Sequence, residues 1–226
     1  MSIGELTMLV NDNFDKPLNR QIRDMKYLGS YLLTSSGNFS VSKSGWYKVI
    51  VVGAGGNNYT YWNGSYYTIY TGGSGGVAIS TLYLDKNNLC EITVHNDNYN
   101  NASGSYEFSY NGSIISAHNG TTSTSTAENQ RGKGGSAVGG DFNYKGIDGS
   151  VYTTNAIGTD VGVFIPELMK VKTAMGSLGD ASAIAISGNG ILGYGCGSGT
   201  YADRNLSVST PKADGCVLII PLELTE

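Results

Sequence analysis

The chain has 226 residues and a formal net charge of -4 at pH 7, and only 14% of its residues are charged, against roughly 25% in an ordinary soluble domain. A sequence this poor in Lys and Arg lacks the clusters that bind nucleic-acid phosphates or anionic lipid surfaces, and no apolar run approaches the roughly 20 residues of a membrane span. We therefore expect neither nucleic acid nor a membrane as a partner, and one folded domain with a thin core and long loops.

Residues 1–36 differ from the rest of the chain and are interpreted as an N-terminal attachment segment. Pro17 suits the first turn of a helix, and Leu18, Ile22 and Met25 then share one helical face. The sequence thus predicts a short helix here, although an ordinary helix packed on its own domain explains the pattern as well. The first residues lack the basic and apolar regions of a signal peptide, so we expect synthesis in the cytoplasm without secretion.

Residues 37–226 are predicted to form a mainly all-β domain, an antiparallel β-sandwich-like arrangement with glycine-rich loops. Runs of β-branched and aromatic residues, bounded by turn residues, support this prediction. The strongest turn signal is Asn111-Gly112, because both residues tolerate the positive φ of a tight hairpin. A further short helix is predicted near Pro166. The predicted strands are residues 38–42, 46–52, 77–84, 90–94, 106–110, 113–117, 181–187 and 216–222.

Glycine tracts separate the predicted strands. Glycine loses more chain entropy on folding than any other residue, so a protein with 33 glycines needs either close approach of its backbones or repeated positive φ. The tracts have no fixed period and therefore predict neither collagen nor a solenoid. They are residues 53–56, 72–76, 132–135, 188–190 and 193–199.

Two of these tracts match catalytic signatures without the structural context that the chemistry needs. Gly72–Gly76 matches G-x-S-x-G, but no helix follows it to form a nucleophile elbow. Gly188–Gly193 matches G-x-G-x-x-G, but no helix follows to hold a pyrophosphate. The three cysteines have neither disulfide-framework nor zinc-site spacing. We therefore predict that the protein is not an enzyme and has no catalytic residue, metal or cofactor.

Tyrosine is concentrated in segments that otherwise consist mainly of Asn, Gly, Ser and Thr. Tyrosine outnumbers phenylalanine 16 to 5, and it suits positions with one dry side and a wet hydroxyl. This composition is typical of binding loops, so residues 57–71 and 96–110 are predicted to form an exposed binding surface, with 142–152 as a third such segment. The alternative is that these tyrosines cover the sheet faces. The predicted binding residues are Tyr59, Tyr61, Trp62, Tyr66, Tyr67, Tyr70, Tyr99 and Tyr106.

Several pieces of the sequence follow one another in an order known from a protein family. The first is Gly-Trp-Tyr-Lys-Val-Ile-Val-Val-Gly-Ala-Gly-Gly at residues 45–56. The others are the glycine tract 72–76, the strands 77–84 and 91–94, and Asp-Gly-Cys-Val-Leu-Ile-Ile at residues 214–220. This order resembles the glycine-rich receptor-binding domains of bacteriophage tail fibres and tail-tip adhesins, or of phage-tail-like bacteriocin fibres.

The chain departs from that family at two points. His95 stands where family members usually place glycine after a strand that ends in Thr-Val, and the middle glycine tracts are short and interrupted. Because of these departures, we expect few of the packed polyglycine helices that are typical of the family. Long Tyr/Asn loops are expected in their place, which suits an altered target.

The resemblance implies recognition of a bacterial host surface by a component of the virion tail. The implied partners are a cell-surface glycan or a surface protein at the binding loops, and tail proteins at the N-terminal segment. Monomer and homotrimer both stay open, as do a phage and a bacteriocin origin. Two alternative functions remain: a structural or assembly protein of a virion or bacterial surface, and a glycan-degrading tail enzyme.

Overall fold

The computed structural model describes residues 30–62, 64, 67–95, 104–124, 131–149, 151–153, 200–203, 206–209 and 214–224. Within these ranges every regular element is a β-strand, and the strands of each sheet pair antiparallel. The prediction of an all-β antiparallel fold is confirmed at this level. The predicted N-terminal helix, the predicted helix near Pro166 and the predicted strand 181–187 lie outside the described residues.

The first sheet is built on the parts of the sequence that are richest in β-branched residues. Its central strand, residues 45–52, pairs over its whole length with a neighbour on each side. Branched and aromatic side chains favour such a pleated, buried surface. The register shifts between Pro221 and Glu223, beside a residue that has no N–H to donate. The strand order is β1 (Tyr31–Leu33), β15 (Cys216–Leu224), β3 (Gly45–Val52), β6 (Val77–Leu84) and β11 (Phe142–Tyr144).

The edge strand β1 falls within residues 1–36, the predicted attachment segment. It pairs antiparallel with β15, with Tyr31 opposite Ile219, and Tyr31 and Leu33 pack against the core. The end of that segment is thus a part of the first sheet, while residues 1–29 lie outside the described residues.

The second sheet contains the tight hairpin that the sequence predicts. Asn111 and Gly112 join its two longest-paired strands with φ angles of 48° and 79°, the left-handed values that a two-residue hairpin turn requires. This part of the prediction is confirmed. The strand order is β10 (Ala137–Val138), β9 (Ser113–His118), β8 (Ser105–Tyr110), β7 (Cys90–His95) and β2 (Gly37–Phe39).

One hydrophobic core joins the two five-stranded sheets. Alternate residues of β3, Tyr47, Val49 and Val51, are buried in the same cluster as Tyr106 and Phe108 of β8. Since successive side chains of a strand point to opposite faces, the two sheets face each other with these residues between them. Burial of a tyrosine requires a partner for its hydroxyl, and the Tyr47 hydroxyl donates to the Lys43 carbonyl oxygen at 2.7 Å.

Smaller sheets complete the described structure. The tyrosine-rich segment 57–71, predicted as a loop, forms two paired strands, and a third strand joins them. We call these three strands the distal sheet; they are β4 (Tyr59–Trp62), β5 (Tyr67–Tyr70) and β12 (Val151–Thr153). The remaining pair is β13 (Thr200–Asp203) with β14 (Leu206–Ser209).

Five extended segments outside the strands pack side by side, and together they are called the glycine layer. Their main-chain hydrogen bonds recur every third residue: Gly53 and Gly56 donate to the carbonyl oxygens of Gly76 and Gly73 at 3.0 and 2.8 Å. A repeat of three residues is that of a polyproline II-type helix, which has no hydrogen bonds of its own. Neighbouring segments therefore satisfy each other's main-chain groups. The segments are residues 53–57, 72–76, 118–123, 132–136 and 146–149.

Close approach of backbones is the reason for glycine in this layer. A Cβ at Gly53 would collide with the carbonyl oxygen of His118, and one at Gly75 would collide with the carbonyl oxygen of Gly53. Neither glycine has a left-handed φ. Of the two reasons for glycine that the composition allows, close contact is therefore the one that operates here.

The layer also explains why the glycine tracts look interrupted in the sequence. Only the positions that face a neighbouring backbone exclude a side chain; Lys133, between two glycines, is exposed. The 118–123 segment contains one glycine, Gly120, yet bonds to three neighbours in the layer. Short tracts therefore led to an expectation of few packed segments, whereas five are present in the described residues.

Candidate functional site

The distal sheet lies at the end of the glycine layer that faces away from the two core sheets. Three separate passages of the chain connect them: residues 53–57 lead from β3 to β4, residues 72–76 from β5 to β6, and residues 146–149 from β11 to β12. Because every passage crosses the layer, the hydrogen bonds between its segments link the distal sheet to the core.

Cross-strand pairing brings the predicted binding residues of this sheet together. Tyr59 lies opposite Tyr70, with ring centroids 6.2 Å apart and ring planes at 51°, and aromatic pairs in such tilted arrangements attract each other. Trp62 lies opposite Tyr67 at the hairpin end. The sequence prediction thus grouped residues that are in fact neighbours in the structure, although it assigned them to a loop and not to strands.

These residues differ in how much surface they offer to a partner. Tyr61 is 43% exposed and Tyr70 only 8%, and Tyr59 is half-buried. Tyr70 lies opposite Tyr59 on one side and opposite Val151 on the other, and directly opposite residues share one face of a sheet. Its ring therefore has a side chain on either flank and little contact with solvent. Tyr61 is therefore the predicted residue whose described side chain is most available to another molecule.

Tyr106, predicted as a binding residue, is a core residue. It is 1% exposed and pairs with Val94 and Ala117 on neighbouring strands. The alternation Tyr106, Phe108, Tyr110 in β8 is the period-two pattern of a buried strand face, and this signal was available in the sequence. Tyr66 and Tyr99 lie outside the described residues.

A buried serine, which the sequence reading did not identify, joins three segments of the glycine layer directly below the distal sheet. The Ser123 hydroxyl donates to the Thr71 carbonyl oxygen at 2.8 Å and accepts the Gly132 N–H at 2.8 Å. Its own N–H donates to the Asn57 carbonyl oxygen at 3.0 Å. Ser123 is 2% exposed, so these bonds are shielded from water.

Charge on the flank of the layer is concentrated at Asp148. Its carboxylate accepts the Gly134 N–H at 2.8 Å and lies 3.2 Å from the ammonium groups of both Lys133 and Lys145. The backbone hydrogen bond, followed by the lysines, lowers the pKa of Asp148 below its usual value. The flank is thus a solvated ion network, and ion pairs as exposed as these contribute little to stability.

The serine hydroxyls near His95 bond to a carboxylate. His95 lies 3.1 Å from Glu107, but it is Glu107, and not the imidazole, that accepts the hydroxyls of Ser105 and Ser116; nucleophilic catalysis needs the imidazole on the hydroxyl. No group of three or more His, Cys, Asp or Glu suited to a metal ion occurs in the described ranges.

The two described cysteines are buried thiols. Burial raises the pKa of Cys90 to about 11 and also raises the pKa of Cys216. Since the thiolate is the reactive form, both side chains behave as small hydrophobic groups. Both occupy strands that pair in the two core sheets.

Comparison with known proteins adds no assignment. No protein-family model matches the chain, and no curated protein matches it significantly. In the part of the chain that the structure describes, no helix is long and apolar enough to span a membrane.

Proposed function

We propose that the protein is the receptor-binding domain of a phage tail fibre or tail-tip adhesin, or of a phage-tail-like particle, and that it recognises the surface of a bacterial cell. The observation that supports this most is the placement of a tyrosine-rich sheet at the far end of a rigid, hydrogen-bonded layer. A recognition module needs such a platform, because a surface that is already ordered loses little entropy on binding.

In this proposal the two core sheets form a β-sandwich-like scaffold, and the distal sheet is the contact surface. Tyr61 and Tyr59 are its described contacts, and Trp62 and Tyr67 pair at the hairpin end. Tyr66, which lies outside the described residues, is proposed as a further contact. Tyrosine rings stack on sugar rings and also form hot spots of protein contacts, so a glycan and a surface protein both fit. The N-terminal segment would attach the domain to tail proteins.

Attachment to host cells tests the proposal. We expect Tyr61→Ala and the Trp62→Ala, Tyr66→Ala double variant to weaken binding of labelled protein to cells at nanomolar concentration, each by about tenfold, as for loss of a contact hot spot. The matched control is Tyr83→Ala, since Tyr83 is 42% exposed against 43% for Tyr61 and lies in the first sheet. Undiminished attachment by all distal variants would remove the distal sheet from the mechanism.

The two alternative functions make different predictions for the same variants. A purely structural role, which the burial of Tyr70 favours, predicts lower melting temperatures and altered assembly without a specific loss of adhesion. A glycan-degrading activity predicts new reducing ends when the protein is incubated with host wall polymer. Melting curves and a reducing-end assay therefore separate the three functions.

A further inference from the structure

Four exposed aromatic residues lie on the face of the first sheet that is opposite to the shared core. They are called the aromatic strip and consist of Trp46, Tyr83, Phe142 and Tyr144, which are 46%, 42%, 61% and 48% exposed. On the same face as the strip, Ile50, Val52 and Val77 are buried, whereas alternate residues of β3 and β6 face the shared core. The strip therefore faces outward, and the proposed receptor contact does not use it.

Strand pairing makes the strip continuous along the β6–β11 edge. Trp46 lies opposite Tyr83, with ring centroids 5.8 Å apart in an edge-to-face arrangement. Phe142 and Tyr144 lie opposite Ile79 and Val77. On the same face of β6, Thr81 is exposed and Ile79 is half-buried, whereas Val77, opposite Tyr144, is buried. The exposed part of that strand therefore runs from Tyr83 to Ile79.

The strip ends at an open strand edge. β11 is the last strand of the first sheet, and all three of its residues are exposed. Among the described residues no strand pairs with its outer side. An exposed edge strand offers unpaired main-chain groups to another chain, and exposed apolar patches of this kind mark contact surfaces.

The charges around the strip suit a second copy of the same chain. The protein as a whole carries a net charge of -4, so two copies repel each other except where the surface is close to neutral. In the register of this face, Lys48 and Glu223 have opposite signs and are near neighbours on β3 and β15. The Asp141 carboxylate beside the strip accepts the Ser80 hydroxyl at 2.8 Å and the Thr81 N–H at 2.9 Å, so its hydrogen-bonding needs are met within one copy.

We propose that the aromatic strip is a self-association surface through which two copies of this chain form a reversible dimer. Each aromatic side chain offers about 150–250 Å², so four that are half exposed bury roughly 400 Å² per copy, against about 800 Å² per partner in a stable complex. Interfaces of this size belong to the weak, transient class, so we expect the dimer to dissociate on dilution. Two copies would carry two distal sheets and raise attachment by avidity.

Sedimentation velocity of the full chain over nanomolar to high micromolar concentrations tests this proposal, in reducing buffer so that thiols cannot cross-link. We expect a monomer at low concentration and a dimer at high concentration. The Phe142→Lys, Tyr144→Lys double variant places like charges opposite each other and should weaken the dimer by at least about tenfold. Ile114→Lys is the matched control, because Ile114 is 56% exposed on the second sheet.

A second variant, Trp46→Ser, probes the other end of the strip and adds no charge. Circular dichroism of each variant shows whether the fold is intact. A wild-type protein that stays monomeric at every concentration overturns the proposal, as does a dimer that both strip variants leave unchanged. Attachment to cells at nanomolar concentration reports on the distal sheet alone, so either proposal can fail without the other.

Discussion

At the scale of single residues, the glycines of the layer are constrained by contact and those of the turns by backbone angle. Gly75 faces the carbonyl oxygen of Gly53 and has no left-handed φ, whereas Gly112 has a φ of 79° and nothing within contact distance of its missing Cβ. Composition alone cannot tell these cases apart, because the neighbour that excludes a side chain is distant in sequence.

Gly75→Ala should therefore destabilise the fold, although alanine normally loses less conformational entropy on folding than glycine. We expect a loss of about 1–3 kcal/mol in the free energy of unfolding, as for a methyl group forced into a packed interior, measured by chemical denaturation. Gly37→Ala is the control, since a Cβ there meets nothing within 4 Å, and its effect should stay within about 0.5 kcal/mol. Equal effects of both substitutions would contradict the close-contact explanation.

The carboxyl of Asp141 makes the stability of the fold depend on pH in the acid range. The Thr81 N–H and the Ser80 hydroxyl lower the pKa of its carboxyl below the unfolded value of 3.8. A depressed pKa contributes stability that is present above the unfolded pKa and disappears as the pH falls through the folded one. We expect melting temperature to fall below about pH 4, and Asp141→Asn to flatten that fall. A pH profile identical to that of the wild type would exclude this carboxyl as a cause.

At the scale of elements, the strands with long β-branched runs were predicted and the two tyrosine- and threonine-rich strands were missed. Residues 46–52, 77–84 and 216–222 lie within or coincide with β3, β6 and β15, because burial on much of both faces leaves a continuous apolar run in the sequence. β4 and β5 consist of Tyr, Thr, Ile and Trp, which favour strands, so their local signal was present. The Asn, Gly and Ser around them led to the loop prediction, and the glycine segments that position the two strands are distant in sequence.

The Ser123 hydroxyl bonds the Thr71 carbonyl oxygen and the Gly132 N–H, and its removal tests how far the glycine layer acts as a unit. Ser123→Ala deletes the hydrogen bonds to Thr71 and Gly132 in a site that is 2% exposed. A buried hydrogen-bond donor or acceptor that is left without a partner lowers the free energy of unfolding by about 1–3 kcal/mol. We expect a loss of that size in chemical denaturation, whereas Ser136→Ala, at an exposed position of the same layer, should be nearly neutral.

Hydrogen exchange distinguishes a local from a cooperative effect of this substitution. If the layer unfolds as one unit, Ser123→Ala should speed exchange at amides in the other segments, such as Gly53 and Gly146, which bond to Gly76 and Gly135. Faster exchange confined to residues beside Ser123 would show that the segments open independently.

At the scale of the whole molecule, the described chain is arranged as core sheets, glycine layer and distal sheet. The order of strands and glycine tracts was predictable from sequence, and so was the concentration of tyrosine in residues 57–71. The burial of Tyr106 was predictable from the alternation in β8, whereas that of Tyr70 was not, because it depends on the side chains that pairing with β4 and β12 brings next to it. The sequence therefore predicted the candidate site as a segment, and the structure shows how exposed its individual residues are.

The hydrogen bonds of the glycine layer come mostly from main-chain atoms. The sequence of the hairpin can therefore change independently of the layer that supports it. Sequence changes or insertions at the end of the hairpin, between Trp62 and Tyr67, leave the main-chain donors and acceptors of the layer untouched. Under the proposed function, a lineage could therefore exchange the hairpin end, and with it the cell type that is recognised, while the bonds of the layer and the bond from Ser123 to Thr71 stay as they are.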